Sequence, residues 1–263
     1  LKKRNILREL LNEDKPSVSM HVHSIWPGMV EVIGLAGTMD YIEFSGEYAP
    51  YDLMSLENFG RAVDLFPNMS SMMKIEQQPR THLAVRAVGS GIQNLLFADI
   101  WTADDAREAV TASRADTPKT GGRAGVGMRR DGGYGEATLT EYIDSLEDTV
   151  VALMIEKDST VQNLEEILSI GGIDMVQFGP ADYSMSIGIP DQWDDPRIKK
   201  TDRYIIETAL KMGIAPRIEL TDSNDAEEYI EMGVKHFCIG WDVSIISDWA
   251  KQHGAALANK LGK

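Results

Sequence analysis

The sequence predicts an α/β protein: a (β/α)8 barrel formed by one domain over residues 1–263. Three observations carry this expectation. Eight short apolar runs recur along the chain, at residues 18–22, 40–44, 72–75, 94–100, 150–155, 175–178, 215–218 and 236–239. Between them lie longer segments, at 56–65, 103–114, 161–169, 200–212 and 223–232, several with apolar residues at i, i+3 and i+4, the spacing of a half-buried helix. The 263 residues are also the usual length of one such barrel. An open doubly wound sheet is the alternative, weakened because no Gly-x-Gly-x-x-Gly turn follows the first run.

The elements follow in order. The start, Lys2-Lys3-Arg4, is basic, but no continuous apolar run comes after it. Ile6, Leu7, Leu10 and Leu11 instead fall on one helical face, so an N-terminal amphipathic helix and a cytoplasmic protein are expected. The loosest stretch, 115–136, is rich in glycine and longer than an ordinary barrel connection. Such loops are functional and mobile, or else surface excursions. The last segment, 244–261, has the apolar spacing of a closing helix.

Composition narrows the partners. Hydrophobic residues make up 43% and charged residues 25%, a globular balance, and the net charge is −15. That charge repels nucleic acid and anionic membrane surfaces, so neither is expected as a partner. No run approaches the roughly 20 apolar residues of a membrane span. The one cysteine, Cys238, sits in an apolar run and reads as a buried strand residue.

In barrels of this kind, chemistry sits where strands end at their C-terminal face. The candidate residues there are His21 and His23, Glu43 to Tyr48, Lys74, Asp99, Glu156, Gly179 to Asp182, Arg217 and Glu219, and Trp241 and Asp242. Glu156 ends one strand and Asp182 follows the next, so adjacent strands bring two carboxylates together. Two hard oxygen ligands, completed by water and substrate, suit Mg²⁺ or Mn²⁺. Both residues are also ordinary helix N-caps, and the spacing leaves that alternative open. Arg217 and Glu219 share a strand face and pair with each other in the simplest reading.

The same segment resembles a known family. Met154-Ile155-Glu156 and Gly179-Pro180-Ala181-Asp182-Tyr183-Ser184 are similar to the metal strands of the HpcH/HpaI family of class II 2-oxo-acid aldolases. Gly46-Glu47-Tyr48-Ala49-Pro50, the 103–110 segment and Arg123-Ala124-Gly125-Val126-Gly127 match further stretches, so the resemblance covers nearly the whole chain. It implies a divalent-metal-dependent carbon–carbon lyase acting on a 2-oxo acid, with Glu156 and Asp182 as metal ligands. It implies that the peptide N–H groups of Ala181 and Asp182, in the Gly179-Pro180 turn, hold the substrate carboxylate, and that Arg123 closes over it. It also implies a homo-oligomer, a hexamer built as a trimer of dimers, with the last helix exchanged between subunits.

The pattern breaks at the proton-transfer residues. Where the family carries an Asp and, three residues on, a His, this chain has Ser45 and Tyr48. Where it carries an Arg at the end of strand three, this chain has Lys74, which keeps the charge but loses the bidentate fork. His21 and His23, two apart on the first strand and so on one face, are the candidate replacements, with packing histidines as the alternative. Asp99 is a second newcomer, unless it is a solvated loop-start residue. The lost dyad keeps decarboxylase, hydratase and citrate-synthase-like reactions open, and also a silent metal and 2-oxo-acid binding protein.

Overall fold

The computed structural model describes residues 3–263; Leu1 and Lys2, the first residues of the basic start, lie outside it. Eight parallel strands close into a barrel in sequence order: β1 (Ser17–Val22), β2 (Tyr41–Ser45), β3 (Ser70–Ile75), β4 (Asn94–Phe97), β5 (Val150–Ile155), β6 (Met175–Phe178), β7 (Ala215–Leu220) and β8 (His236–Trp241). Each expected run became a strand. The fourth stops short, at Phe97, because Asp99 takes a left-handed conformation (φ 51°) that no strand continues through.

Helices surround the sheet. They are α1 (Ile6–Asn12), α2 (Pro27–Ala36), α3 (Leu53–Val63), α4 (Arg80–Gly89), α5 (Ala103–Ala112), α6 (Leu139–Glu147), α7 (Asp158–Gln162), α8 (Leu164–Leu168), α9 (Pro180–Ser186), α10 (Pro196–Lys211), α11 (Ala226–Glu231) and α12 (Asp242–Lys260). Three start at reciprocal caps: Asp52 with Ser55 on α3, Thr102 with Asp105 on α5, and Thr138 with Glu141 on α6. Each cap satisfies amide groups that a helix start leaves bare. Sequence periodicity passed over α2, α4 and α6. In α2 the reason is visible: Val30 and Ile33 face the core while Val32 and Leu35 face out, so no polar stripe marks the outer side. The segment expected as one helix at 161–169 breaks at Asn163, outside helical geometry, into α7 and α8.

The core has two layers. Leucine, isoleucine, alanine and phenylalanine side chains fill the space between sheet and helices. Inside the barrel, a second cluster of Tyr41, Met72, Leu96, Val150, Ala152, Met154 and Met175 packs against Leu7 of α1. The amphipathic opening helix is therefore the lid of the barrel's N-terminal end. Above that apolar floor the interior turns polar, with Ser19, Glu43, Gln177 and Arg217 all buried. Cys238 is buried in β8, as expected, and burial pushes its thiol up to about 12.

The loop at 115–136 is built in rather than loose. Ala115 bridges Ala124, Ala124 N–H bonds Arg114 O, and Arg114, itself buried, reaches Thr149 O at 3.0 Å.

Candidate active site at the barrel mouth

A cavity of about 460 Å³ opens at the C-terminal end of the strands. Its lining includes His21, His23, Tyr48, Lys74, Glu156, Gly179, Pro180, Ala181 and Asp182. Those are the residues expected to carry metal, substrate and proton transfer, with one exception. Arg123 does not line it. Its guanidinium is exposed on the flank of α4 and α5, 3.5 Å from Thr81 Oγ1 and 3.9 Å from Glu108. In this structure the loop's hydrogen bonds to Thr111, Arg114 and Ala115 hold it along the outer helices, away from the cavity.

Glu156 leaves the end of β5 and is buried. One carboxylate oxygen accepts the N–H of Asp99 at 2.7 Å. The other faces Gly179, where an added Cβ would lie 2.8 Å from it and 2.7 Å from Glu156 Cβ. Only glycine leaves room for the carboxylate there. Burial pushes the Glu156 carboxyl up to about 7, against the pull of Lys74. A carboxylate so stripped of water is charged at little cost only when a cation sits beside it.

Asp182 lies in the first turn of α9, close enough for its charge to act on Glu156. Its Oδ1 accepts from Lys157 Nζ at 2.9 Å, and the same ammonium holds Asp99 Oδ1 at 2.6 Å. Asp99 is thus an ion-paired member of the mouth and not a solvated loop-start residue. No third His, Cys, Asp or Glu joins Glu156 and Asp182 in a metal-holding group among the described residues. The donor set fits a hard divalent cation that takes its remaining ligands from water and substrate. As first-turn residues, Ala181 and Asp182 also present peptide N–H groups that no intrahelical carbonyl receives.

Across the cavity the side chains form a second set. Lys74 ends β3, donates to Tyr48 Oη at 2.9 Å and pairs with Glu47 at 2.5 Å. Burial would lower its pKa, but Glu156, Glu47 and Tyr48 together hold it well above the ordinary value. Among the described residues Arg217 and Glu219 form no hydrogen bond or ion pair with each other, contrary to the simplest reading. The fully buried Arg217 bonds Glu43, Gln177, Tyr41 and Ser19, and Glu219 bonds His21 Nδ1 (3.1 Å) and Gln177 Nε2 (3.0 Å). Closure of the barrel puts β1 within reach of β7, which no pattern along one strand reveals. Asp242 has a backbone role: its carboxylate accepts the N–H groups of His23 and Ser24 and opens α12.

The sequence reading passed over Gln177 and Lys157 as members of the site, and it placed Glu43 and Glu47 among the strand-end candidates without naming a partner for either. The usable signal for Glu43 was a lone acid inside an apolar strand run, Tyr41-Ile42-Glu43-Phe44. A charge at a buried strand position needs a partner, and Arg217 in the run Ala215-Pro216-Arg217-Ile218 is the matching oddity.

Carboxylates, a protonated lysine and imidazoles converging on one cleft at the C-terminal face define an enzyme site of the (β/α)8-barrel class. The chain belongs to the HpcH/HpaI aldolase/citrate lyase family, whose model matches residues 22–248. It is 28% identical over 265 aligned positions to 2-keto-3-deoxy-L-rhamnonate aldolase of Escherichia coli O17:K52:H18, covering 98% of this chain and 94% of that one. Among solved structures it is similar to an HpcH/HpaI aldolase/citrate lyase family protein from Burkholderia cenocepacia J2315, with TM-score 0.87 and 24% identity over 97% of this chain and 99% of that one. It is also similar to the citrate synthase SbnG, with TM-score 0.86 and 20% identity over 99% of this chain and 100% of that one. Both structural likenesses concern the fold.

Proposed function

We propose that the protein is a divalent-metal-dependent carbon–carbon lyase of the aldolase type, cleaving or forming a bond next to a pyruvate-like 2-oxo acid. The observation that carries this reading is Glu156: a buried carboxylate, pushed up to about 7, beside Asp182 and a glycine that leaves it room. Glu156 and Asp182 would hold Mg²⁺ or Mn²⁺, which when bound supplies Lewis-acid polarisation of the 2-oxo group. The N–H groups of Ala181 and Asp182 receive the substrate carboxylate, with Gly179 and Pro180 setting their turn.

Lys74 is the cation opposite. An amine that attacks a carbonyl must be neutral, and Lys74 is held protonated. Its role is to stabilise charge on the 2-oxo oxygen, oriented by Glu47 and Tyr48, and not to form a Schiff base. Proton transfer falls to the imidazoles of His21 and His23, with Tyr48 as a hydrogen-bond donor. On that side of the cavity His21 Nε2, His23 Nε2 and Trp241 Nε1 are buried without partners. Such atoms suit an uncharged, hydroxyl-bearing aldehyde, in keeping with the sugar acid named for the Escherichia coli relative.

The test is proton exchange. Wild-type protein with Mn²⁺ should exchange pyruvate methyl protons with D₂O, followed by NMR, and release pyruvate from a panel of 2-oxo acids. Glu156→Gln should lose Mn²⁺ binding by calorimetry and roughly 1000-fold in exchange rate while remaining folded. Full Mn²⁺ binding in that variant would overturn the assignment.

A second copy of the chain is the expected partner. The 19-residue α12 buries only Asp242, and Ile245, Ile246, Trp249 and Leu257 stand exposed on it. Its exchange into a neighbouring subunit of a hexamer covers them. Light scattering at micromolar protein should give a hexamer; a monomer would contradict the reading.

A further inference from the structure

We propose that Glu219 and His21 form the proton-transfer dyad of this site: His21 Nε2 is the base and acid, and Glu219 is the residue that positions it. The inference rests on the aldolase reading above and names which of its candidate histidines acts.

The geometry separates the two imidazoles. His21 Nδ1 lies 3.1 Å from Glu219 Oε1. Burial would raise the Glu219 carboxyl, but the hydrogen bond and charge of His21, with Arg217 and Gln177, hold it down to about 2. A carboxylate only accepts, so His21 Nδ1 carries the hydrogen and the neutral ring keeps its lone pair on Nε2. That Nε2 is buried, has no partner and belongs to a cavity-lining residue. The ring is fixed from the side by Trp241, stacked at 5.7 Å between centroids with planes 11° apart.

Glu219 is itself fixed. Its Oε2 accepts from Gln177 Nε2 at 3.0 Å, Gln177 Oε1 accepts from Arg217, and Arg217 is paired with Glu43. His23 has no comparable support. Among the described residues no side-chain hydrogen bond holds its ring, which rests on Trp241, His21 and Tyr48 at 4.7, 5.2 and 5.6 Å. Burial and then the neighbouring His21 lower its pKa.

The groups facing His21 are Glu43 on β2, Arg217 and Glu219 on β7, and His23 and Trp241 beside it. Burial alone would lower its pKa, but the Glu219 hydrogen bond and the charges of Glu43 and Glu219 raise it. In cleavage, His21 Nε2 takes the proton of the substrate C4 hydroxyl. The oxygen lone pair so freed forms the aldehyde C=O, and the C3–C4 electrons pass to the pyruvate enolate. The imidazolium then returns the proton to C3, giving the methyl group and the neutral ring.

The experiment uses full-length protein labelled with ¹⁵N-histidine. Long-range proton–nitrogen NMR of the metal-free wild type should give the Nδ1–H tautomer for His21 and a titration midpoint above that of His23. Glu219→Gln should lower the His21 midpoint by about one pH unit, the size expected for losing a contacting opposite charge. It should move the acid limb of kcat/KM for cleavage to lower pH by the same amount, and Glu219→Asp should restore the limb. His21→Gln should lower kcat roughly 100-fold. An Nε2–H tautomer, a midpoint below that of His23, an unmoved limb, or a His21→Gln loss under tenfold would each overturn the dyad. If wild-type protein shows no metal-dependent pyruvate exchange, the aldolase reading fails instead; the tautomer and midpoint still decide the pairing.

Discussion

The two ends of the barrel treat the same residue in opposite ways. At the mouth, His21 sits between Glu219 and Glu43, and its affinity for a proton is raised. At the floor, His236 is just as buried, but among the described residues its ring bonds only a hydroxyl, Ser17 Oγ, at 2.8 Å. Burial there, with Lys235 adding to it, lowers its pKa to about 4. One imidazole is set to take up a proton, the other to stay neutral. The surroundings differ in the same sense. Around the floor, Asn5 and Asn94 bond each other in both directions at 2.7 and 3.0 Å, and Asn94 also serves Ser71 O and Val150 N. At the mouth, His21 Nε2, His23 Nε2, Glu43 Oε1, Ser45 Oγ and Trp241 Nε1 are buried and unpaired. Each unpaired polar atom costs on the order of 1–3 kcal/mol. Five such atoms converge at the mouth, against Gln93 Oε1 and Glu147 Oε1 at the other end, so the unpaired groups gather where a ligand can satisfy them.

The comparison breaks most sharply at Arg217, which stands between the two ends. It is fully buried and ion-paired with Glu43. Arg217→Met should cost about 3–5 kcal/mol in urea unfolding, because it strands the Glu43 charge without a partner. It should also release Gln177 from Glu219 and so lower activity. A loss under about 1 kcal/mol would mean that Glu43 does not depend on Arg217 and that the mouth is not anchored from below.

A smaller effect sharpens it. His236 has a folded pKa depressed to about 4 against an ordinary 6.5. The unfolded chain therefore binds more protons than the folded one between those values, and folding is favoured above 6.5 and progressively less as pH falls toward 4. Compared with wild type, His236→Gln should remove about 3 kcal/mol of that acid sensitivity. Its kcat should be unchanged. Identical acid unfolding of the two proteins would show that His236 is not held neutral.

What was legible in the sequence was local. The alternation of apolar runs and helical spacing gave the barrel because side-chain direction repeats every two residues in a strand and every 3.6 in a helix. Glu156 and Asp182 stood out because consecutive parallel strands are neighbours: Ile155 pairs with Phe178, so the residues just beyond them meet. His21 and His23 stood out as two imidazoles in one strand. Helix α2 escaped because it has no polar face: its outward Val32 and Leu35 are as apolar as its inward Val30 and Ile33. What tertiary structure alone decided is pairing at a distance. Glu219 reaches His21 across 198 residues, and Arg217 reaches Glu43 across 174, because the closed barrel turns the inner faces of its strands toward one axis. Lys157 bridges Asp99 and Asp182 for the same reason, and Arg123 lies outside the cavity because its loop is bonded along the outer helices. A sequence fixes which way each side chain points along its own element; only closure fixes which charges face one another, and the raised proton affinity of His21 follows from that.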